Sequence, residues 1–161
     1  MEIIKKSQSE FFVRDYGSLN LLAGNSKTSA KTTKADLKII TINPHCSTSH
    51  HYHLERESIF HVKNGTLSIK SVFAEIETAI QEGDTIVLRQ GEDHIITNIG
   101  PNPAVLIEVE SPPHSNADKF LINDQWNYRE RALGAFWSAS NRPKLKICGI
   151  KTIDAAFFCS E

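Results

Sequence analysis

The sequence predicts an all-β protein, folded as a small antiparallel β-barrel or sandwich. Two observations support this prediction: apolar runs of strand length recur between residues 36 and 110, and turn signals separate them at strand-length intervals. The turn signals are Asn64-Gly65, Gly83-Asp84, Gly91-Glu92 and Gly100-Pro101. Turns at this density leave no room for long helices in that part of the chain.

Six runs are predicted as strands, in the order DLKIITINP, ESIFHVK, TLSIKSVF, DTIVLR, HIITNIG and AVLIEVE. Asn64-Gly65 joins the second run to the third, and an Asn-Gly pair accepts the positive φ that a tight turn demands, so we expect a hairpin there. Residues 20–34 are rich in Ser, Thr, Asn and Lys and are predicted to be a loop or an irregular edge. Residues 121–137 are compatible with a helix.

The composition describes an ordinary globular protein of 161 residues, with 18 Lys and Arg against 19 Asp and Glu. A chain of this length can bury a core without disulfides or a structural metal. Its near-neutral charge disfavours nucleic-acid and membrane partners, and no apolar run approaches the roughly 18 residues of a membrane span. We expect a cytoplasmic protein, because the first residues do not resemble a signal peptide. We expect its three cysteines to be reduced thiols, because they are odd in number and widely spaced.

Three of the seven histidines fall within four residues, in the segment STSHHYHLERES. Side chains two apart on a strand point to the same side, so His51 and His53 are predicted to project their imidazoles into one space. Such a pair is a natural platform for a metal ion. The alternative is a polar strand edge whose histidines are solvated.

Around these histidines the sequence resembles the cupin family. His51-Tyr52-His53, Glu57 and Gly65 resemble the first cupin motif. The second cupin motif is matched by Gly83, Gly91, His94 and Asn98, with Arg89 in place of the usual Pro. The resemblance covers about residues 36–110 and implies a double-stranded β-helix, or jelly roll, that holds one divalent metal ion. It implies His51, His53, His94 and Glu57 as the ligands. Histidine and carboxylate suit Zn, Mn, Fe, Ni and Co, so the identity of the metal stays open.

Glu57 departs from the family spacing by one residue, since the usual ligand position falls at Ser58. A slip of one residue turns a strand side chain to the opposite face, so Glu57 needs a β-bulge to reach the metal. The alternatives are a site of three histidines and water, Glu55 as a substitute ligand, or loss of the metal. Arg89 is expected either at the pocket rim, where it binds an anionic group of the substrate, or in solvent.

A closer resemblance is to the cupin domain of type II phosphomannose isomerases, carried by FVRDYGSLNLL, HHYHLERESIFHVKNGT and AVLIEVESPPHSNADKFLINDQWNYR. It implies a metal-dependent sugar or sugar-phosphate isomerase, similar to mannose-6-phosphate isomerase, that acts through an enediol on a small carbohydrate. The general base is not identified; the candidates on predicted strands are His61, Lys63, Tyr52 and Glu108. A non-catalytic module that binds a sugar or nucleotide-sugar, and a metal-dependent dioxygenase, are the alternatives. The resemblance also implies a homodimer.

The segment KLKICGIKTIDAAFFCSE, residues 144–161, resembles the start of phosphoribosylanthranilate isomerases, with Cys148 at the position of the catalytic cysteine. A (β/α)8 barrel requires about 250 residues, so this segment cannot supply that activity alone. We interpret residues 1–130 as a cupin domain, 131–143 as a linker and 144–161 as the stub of a second domain. Chance similarity is the alternative.

Overall fold

The computed structural model describes residues 3–24 and 34–123. The described part is built from strands, with short 3-10 helices at Lys6–Gln8 and Asn116–Asp118, and this confirms the predicted all-β fold. The strands are β1 (Glu10–Arg14), β2 (Gly17–Ala23), β3 (Asp36–Ile42), β4 (His50–Tyr52), β5 (Glu57–Asn64), β6 (Thr66–Ser71), β7 (Ile76–Gln81), β8 (Thr85–Leu88), β9 (Ile95–Asn98), β10 (Ala104–Ser111) and β11 (Phe120–Asn123). No helix in the described ranges is long and apolar enough to span a membrane.

The strands form two layers whose strand pairs are antiparallel. One layer is a six-stranded sheet in the order β1-β2-β3-β10-β5-β8. The other contains the three-stranded sheet β7-β6-β9 and the pair β11-β4. Isolated bridges join Ser47 to Thr97 and His51 to His94, so the segment that contains β4 runs beside the one that contains β9. This arrangement puts the histidine-rich segment next to His94, although forty residues separate them in the sequence.

The interior of the barrel changes from apolar at one end to charged at the other. On β10, Leu106 lies opposite apolar residues of β3 and β5, and two residues further along Glu108 lies opposite Lys38 and Phe60. These side chains face inward because alternate residues of β3, β5 and β10 are buried. The apolar end contains the core, including Ile40, Ile42, Phe60, Val62, Leu67, Ile96, Ala104 and Leu106.

The six predicted strands all occur, but two predictions about the flanks, the loop at residues 20–34 and the helix at residues 121–137, are wrong in the few residues of each discussed below, and residues 25–33 and 124–137 lie outside the described part. Residues Asn20 to Ala23 belong to β2, which pairs with β1 and β3, rather than to a loop. Leu121–Asn123 belongs to β11, which pairs with β4 rather than starting a helix. In both cases a neighbouring strand supplies the hydrogen bonds, and a sequence does not reveal its distant neighbours.

The predicted hairpin at Asn64-Gly65 is also wrong. Gly65 has the expected positive φ of 98°, but β5 belongs to the six-stranded sheet and β6 to the three-stranded sheet. A Cβ atom at position 65 would lie 2.6 Å from the Cβ of Ala104, so glycine is required where the chain turns closely past β10. The Asn-Gly signal therefore identified a tight turn, but one between sheets.

The remaining domain predictions fall outside the described residues. They concern the linker 131–143, the segment 144–161 with its Cys148, and residues 25–33 of the predicted loop.

Candidate metal centre

Three histidines from two neighbouring segments meet inside the barrel. His51 lies on β4, His53 follows that strand, and His94 directly precedes β9. The backbone fixes this arrangement: the His94 amide donates to the His51 carbonyl at 2.9 Å, and the His51 amide to the His94 carbonyl at 3.2 Å. Each ring offers a nitrogen, and these nitrogens lie within 4.8 Å of one another. Two ligands bound to one zinc ion at about 2.1 Å are at most about 4.2 Å apart, so the spacing is close to that of a metal site.

Backbone carbonyls orient all three imidazole rings in the same way. The Nδ1 atom of His51 lies 2.7 Å from the Ser49 carbonyl, and that of His53 lies 2.7 Å from the Asp118 carbonyl. The Nδ1 atom of His94 lies 3.4 Å from the Glu92 carbonyl. A carbonyl oxygen only accepts hydrogen bonds, so in His51 and His94 the Nδ1 atom carries the proton and Nε2 keeps its lone pair. Metal-binding histidines typically have such a partner behind the ring.

The rings are held in the neutral form that binds metals. The pKa of His51 is lowered well below its usual range, that of His53 to about 2 and that of His94 to about 4. Burial makes the largest contribution to each of these shifts, because it disfavours the charged imidazolium. The Arg56 guanidinium, 2.9 Å from Nδ1 of His53, lowers the pKa of His53 further. At neutral pH no proton therefore has to leave these rings before an ion binds.

Glu57, the predicted fourth ligand, does not reach the histidines. Its side chain is 52% exposed and lies 4.0 Å from the Arg89 guanidinium, outside the barrel. The pairing of β5 is regular at this point, with Ser58 opposite Glu110 and Leu88, so the β-bulge needed to turn Glu57 inward is missing. Ser58 takes the inward position instead. Glu55 is exposed as well, and the group of side chains within the described residues that could hold a metal ion contains the three histidines alone.

His50 faces away from the other three histidines and anchors their segment. Its Nε2 atom lies 2.6 Å from the carboxylate of Asp93, the residue before His94. The same carboxylate accepts hydrogen bonds from the Ser71 hydroxyl and from the amides of Val72 and Phe73. One buried carboxylate thereby holds together the segments that carry His51 and His94.

A group of buried charges lies beside the histidines, and Glu108 is the member of this group that the sequence had identified. The Lys38 ammonium forms ion pairs with Glu108, at 3.3 Å, and with Glu110. The Arg56 Nε atom lies 3.4 Å from Glu110 and 3.7 Å from the carboxylate of Asp118. Burial raises the pKa of the Glu110 carboxyl, as does the neighbouring Glu108 charge, while Lys38 and Arg56 oppose this change.

Of the four candidate bases, Glu108 is the one that faces the interior. His61 and Lys63 are exposed on the outer side of β5. Tyr52 points to the opposite side of β4 from its neighbours and stacks on Phe120, with 5.0 Å between ring centroids. Glu108 is 7% exposed and lies opposite Phe60, whose ring is 6.0 Å from that of His94.

Comparison with protein-family models finds one match: residues 38–110 match the cupin domain family. Comparison with curated proteins gives no match. The matched range contains the three converging histidines and the buried pair Lys38 and Glu108.

Solved structures share the fold at low sequence identity. The capsular polysaccharide assembling protein CapF from Staphylococcus aureus is similar over 71% of this chain, with 17% identity and a TM-score of 0.58; the match covers 34% of the CapF chain. The polyketide cyclase RemF from Streptomyces resistomycificus matches 69% of this chain and 79% of its own, with 16% identity and a TM-score of 0.57. KdgF from a Halomonas species matches 70% of this chain and 96% of its own, with 14% identity and a TM-score of 0.57. Residues 38–110 of this chain therefore match the cupin domain family, and the described part of the chain has the double-stranded β-helix fold.

Proposed function

We propose that this protein is a metal-dependent isomerase of a sugar or a sugar phosphate. The observation that carries the proposal is the convergence of His51, His53 and His94, each in the neutral form, at the charged end of the barrel. Three protein ligands leave coordination positions for the oxygens of a substrate. The resemblance to the cupin domain of type II phosphomannose isomerases indicates the class of substrate.

Aldose–ketose isomerisation moves a proton between two neighbouring carbons through an enediol. A divalent ion, when bound, polarises the oxygens on those carbons and stabilises the negative charge that develops there. The chain supplies the proton carrier, and we assign this role to Glu108. Its carboxylate faces the interior, and the ion pair with the Lys38 ammonium, 3.3 Å away, fixes its position.

The proposal is tested by metal analysis together with an isomerisation assay. Protein purified without chelator and then loaded with Zn, Mn, Fe, Ni or Co is assayed on pairs of aldose and ketose phosphates. Replacement of Glu108 by Gln is expected to reduce kcat by about 10²–10⁴-fold, the usual contribution of a general base, without changing the metal content. Replacement of the exposed Glu82 by Gln is the matched control. If the Glu108 variant isomerises as fast as the wild type, the assignment of the base is overturned. If no metal-loaded form of the wild type isomerises any of these sugars, the proposal of an isomerase is overturned.

The second candidate function is a non-catalytic module that binds a sugar or nucleotide-sugar. The similarity to CapF favours it, because the match covers 34% of that longer chain, so this kind of unit also occurs as one part of a larger protein. Calorimetry separates the two candidates. A binding module binds its sugar without turnover in the metal-loaded form, whereas an isomerase converts the same sugar.

A further inference from the structure

Lys119 lies on the face of the sheet that carries the metal-binding histidines. Strand β11 pairs antiparallel with β4, with Phe120 opposite Tyr52 and Leu121 opposite His51. Lys119 directly precedes β11, and the same register continued by one residue would place it opposite His53. Residues opposite one another in an antiparallel pair have side chains on the same face, so Lys119 shares the inward face with the histidines.

The ammonium group of Lys119 is close enough to the histidines to change their titration. Its positive charge lowers the pKa of His51, His53 and His94. Burial lowers the pKa of Lys119 itself to about 8, with a smaller contribution from the Arg56 charge and an opposing one from Glu108. The Lys119 side chain is half-buried.

The carboxylates around Lys119 are already paired with other cations. Glu108 and Glu110 pair with Lys38, and Glu110 and Asp118 flank Arg56. Within residues 3–24 and 34–123, no hydrogen bond or ion pair is found for the Lys119 ammonium. Burial of a charge is unfavourable unless the charge is paired, so a half-buried cation without a partner favours an anionic ligand.

Two further buried donors lack a hydrogen-bond partner in the same region. They are the Ser58 hydroxyl, in a residue 3% exposed, and the Nε atom of Arg56, in a residue 2% exposed. Neither has a hydrogen-bond partner among the described residues, although Arg56 Nε forms ion pairs with Glu110 and Asp118. Both lie beside Glu110, which is opposite Ser58 in the sheet and 3.4 Å from Arg56 Nε. Buried polar atoms are rarely left unpaired, and unpaired donors in a polar interior favour a ligand that accepts hydrogen bonds.

We propose that Lys119 determines specificity by binding an anionic oxygen group, a carboxylate or a phosphate, on the small molecule that is held at the histidine cluster. The proposal deepens the proposed function, because it names the chemical class of the substrate. An ammonium is a point charge that pairs with either kind of anion in a low-dielectric interior. A divalent ion at the histidines would add positive charge on the same side and attract the same anion.

The test measures anion binding rather than turnover. Metal-loaded wild type and the variants Lys119→Met, Lys119→Arg and Lys63→Met are titrated by calorimetry with inorganic phosphate and, separately, with acetate at matched ionic strength. Lys119→Met is expected to weaken binding of at least one anion tenfold or more, and Lys119→Arg to retain it within a few-fold. Lys63→Met removes the same charge from an exposed position and is expected to bind as the wild type does.

The two anions distinguish the two kinds of substrate group. If the Lys119 variants lose binding of phosphate only, the substrate is phosphorylated; if they lose binding of acetate only, the substrate carries a carboxylate. Metal content is measured in every variant, and Lys119→Gln serves as a second variant if Lys119→Met does not fold. Equal binding by wild type and folded Lys119 variants, or no anion binding by the wild type, would overturn the proposal. Lys119-dependent anion binding without isomerisation would overturn the isomerase and leave this proposal standing.

Discussion

At the scale of single residues, the histidine cluster combines three neutral rings with backbone carbonyls that fix their orientation. The Asp118 carbonyl holds His53, and the Asp118 carboxylate accepts hydrogen bonds from the amides of Leu54 and Glu55. One residue of the segment before β11 therefore shapes the loop that follows His53. Because the rings need neither deprotonation nor large rearrangement, the site is prepared for an ion before one binds.

Replacement of His53 by Ala removes one of the three ligands, and we expect it to weaken metal binding by more than the about 10–100-fold typical of outer-shell changes. Replacement of Glu57 by Gln should leave metal binding unchanged, because the Glu57 side chain is outside the barrel. Metal stoichiometry of the purified variants, measured by atomic emission, checks both expectations. Equal loss of metal in the two variants would show that Glu57 turns inward when the ion is present.

The sequence predicted the pair His51 and His53 because strand alternation depends on neighbouring residues only. It also supplied His94, through the spacing of the second motif. It could not supply Arg56, Asp118 or Lys119, because a charged residue is expected at the surface unless tertiary partners are known. The carboxylates that flank Arg56, for example, come from β10 and from the segment before β11, more than fifty residues away in the sequence.

At the scale of elements, the strands that were predicted are those with alternating or continuous apolar residues. β7 was missed because five of its six residues are exposed, so Ile76–Gln81 shows no alternation. β4 was not predicted as a full element because it is only three residues long and two of them are histidines. Both strands depend on hydrogen bonds to β6 and β11 rather than on their own composition.

The Asp93 carboxylate gives a pH-dependent contribution to the stability of these elements. Burial alone would raise its pKa, but hydrogen bonds from Ser71, His50 and the amides of Val72 and Phe73 lower it from 3.8 to about 2. A carboxyl whose pKa is lowered in the folded state stabilises the protein above its unfolded pKa and loses this contribution as the pH falls through the folded pKa. The contribution is therefore present at pH 5 and declines between about pH 4 and pH 2.

Urea unfolding of chelator-treated wild type and Asp93→Asn checks this expectation. The wild type should be more stable at pH 5, and the difference in the free energy of unfolding should shrink as the pH approaches 2. Asp84→Asn, at an exposed turn, is the control. A difference that stays constant over this range would contradict the role of Asp93.

At the scale of the whole molecule, two antiparallel layers enclose an interior whose apolar end stabilises the fold and whose charged end holds the candidate site. The large sheet supplies Lys38, Glu108 and Glu110, and the opposite layer supplies the histidines. The closed arrangement keeps these charges in a low-dielectric interior, where their mutual attraction is stronger than in water. Folding and site assembly are therefore coupled.

The outer face of the six-stranded sheet carries an apolar row that fits the proposed homodimer. Val109, Ile59 and Val87 lie opposite one another on β10, β5 and β8, and they are 38%, 44% and 51% exposed. A continuous exposed apolar row on a flat sheet is typical of an interface, and a second copy of this chain would bury it against the same row. The row faces away from the interior, so dimer formation should not require the metal.

Replacement of Ile59 by Lys places a charge at the centre of that row and is expected to convert the dimer to a monomer, because a buried unpaired ammonium is strongly unfavourable. Ile76→Lys, at an exposed position on the other layer, should leave the dimer intact. Sedimentation equilibrium over a range of protein concentrations measures the association, and metal content shows that each variant is folded. If the wild type is monomeric, or if the Ile59 variant remains dimeric, this face is not the interface between subunits.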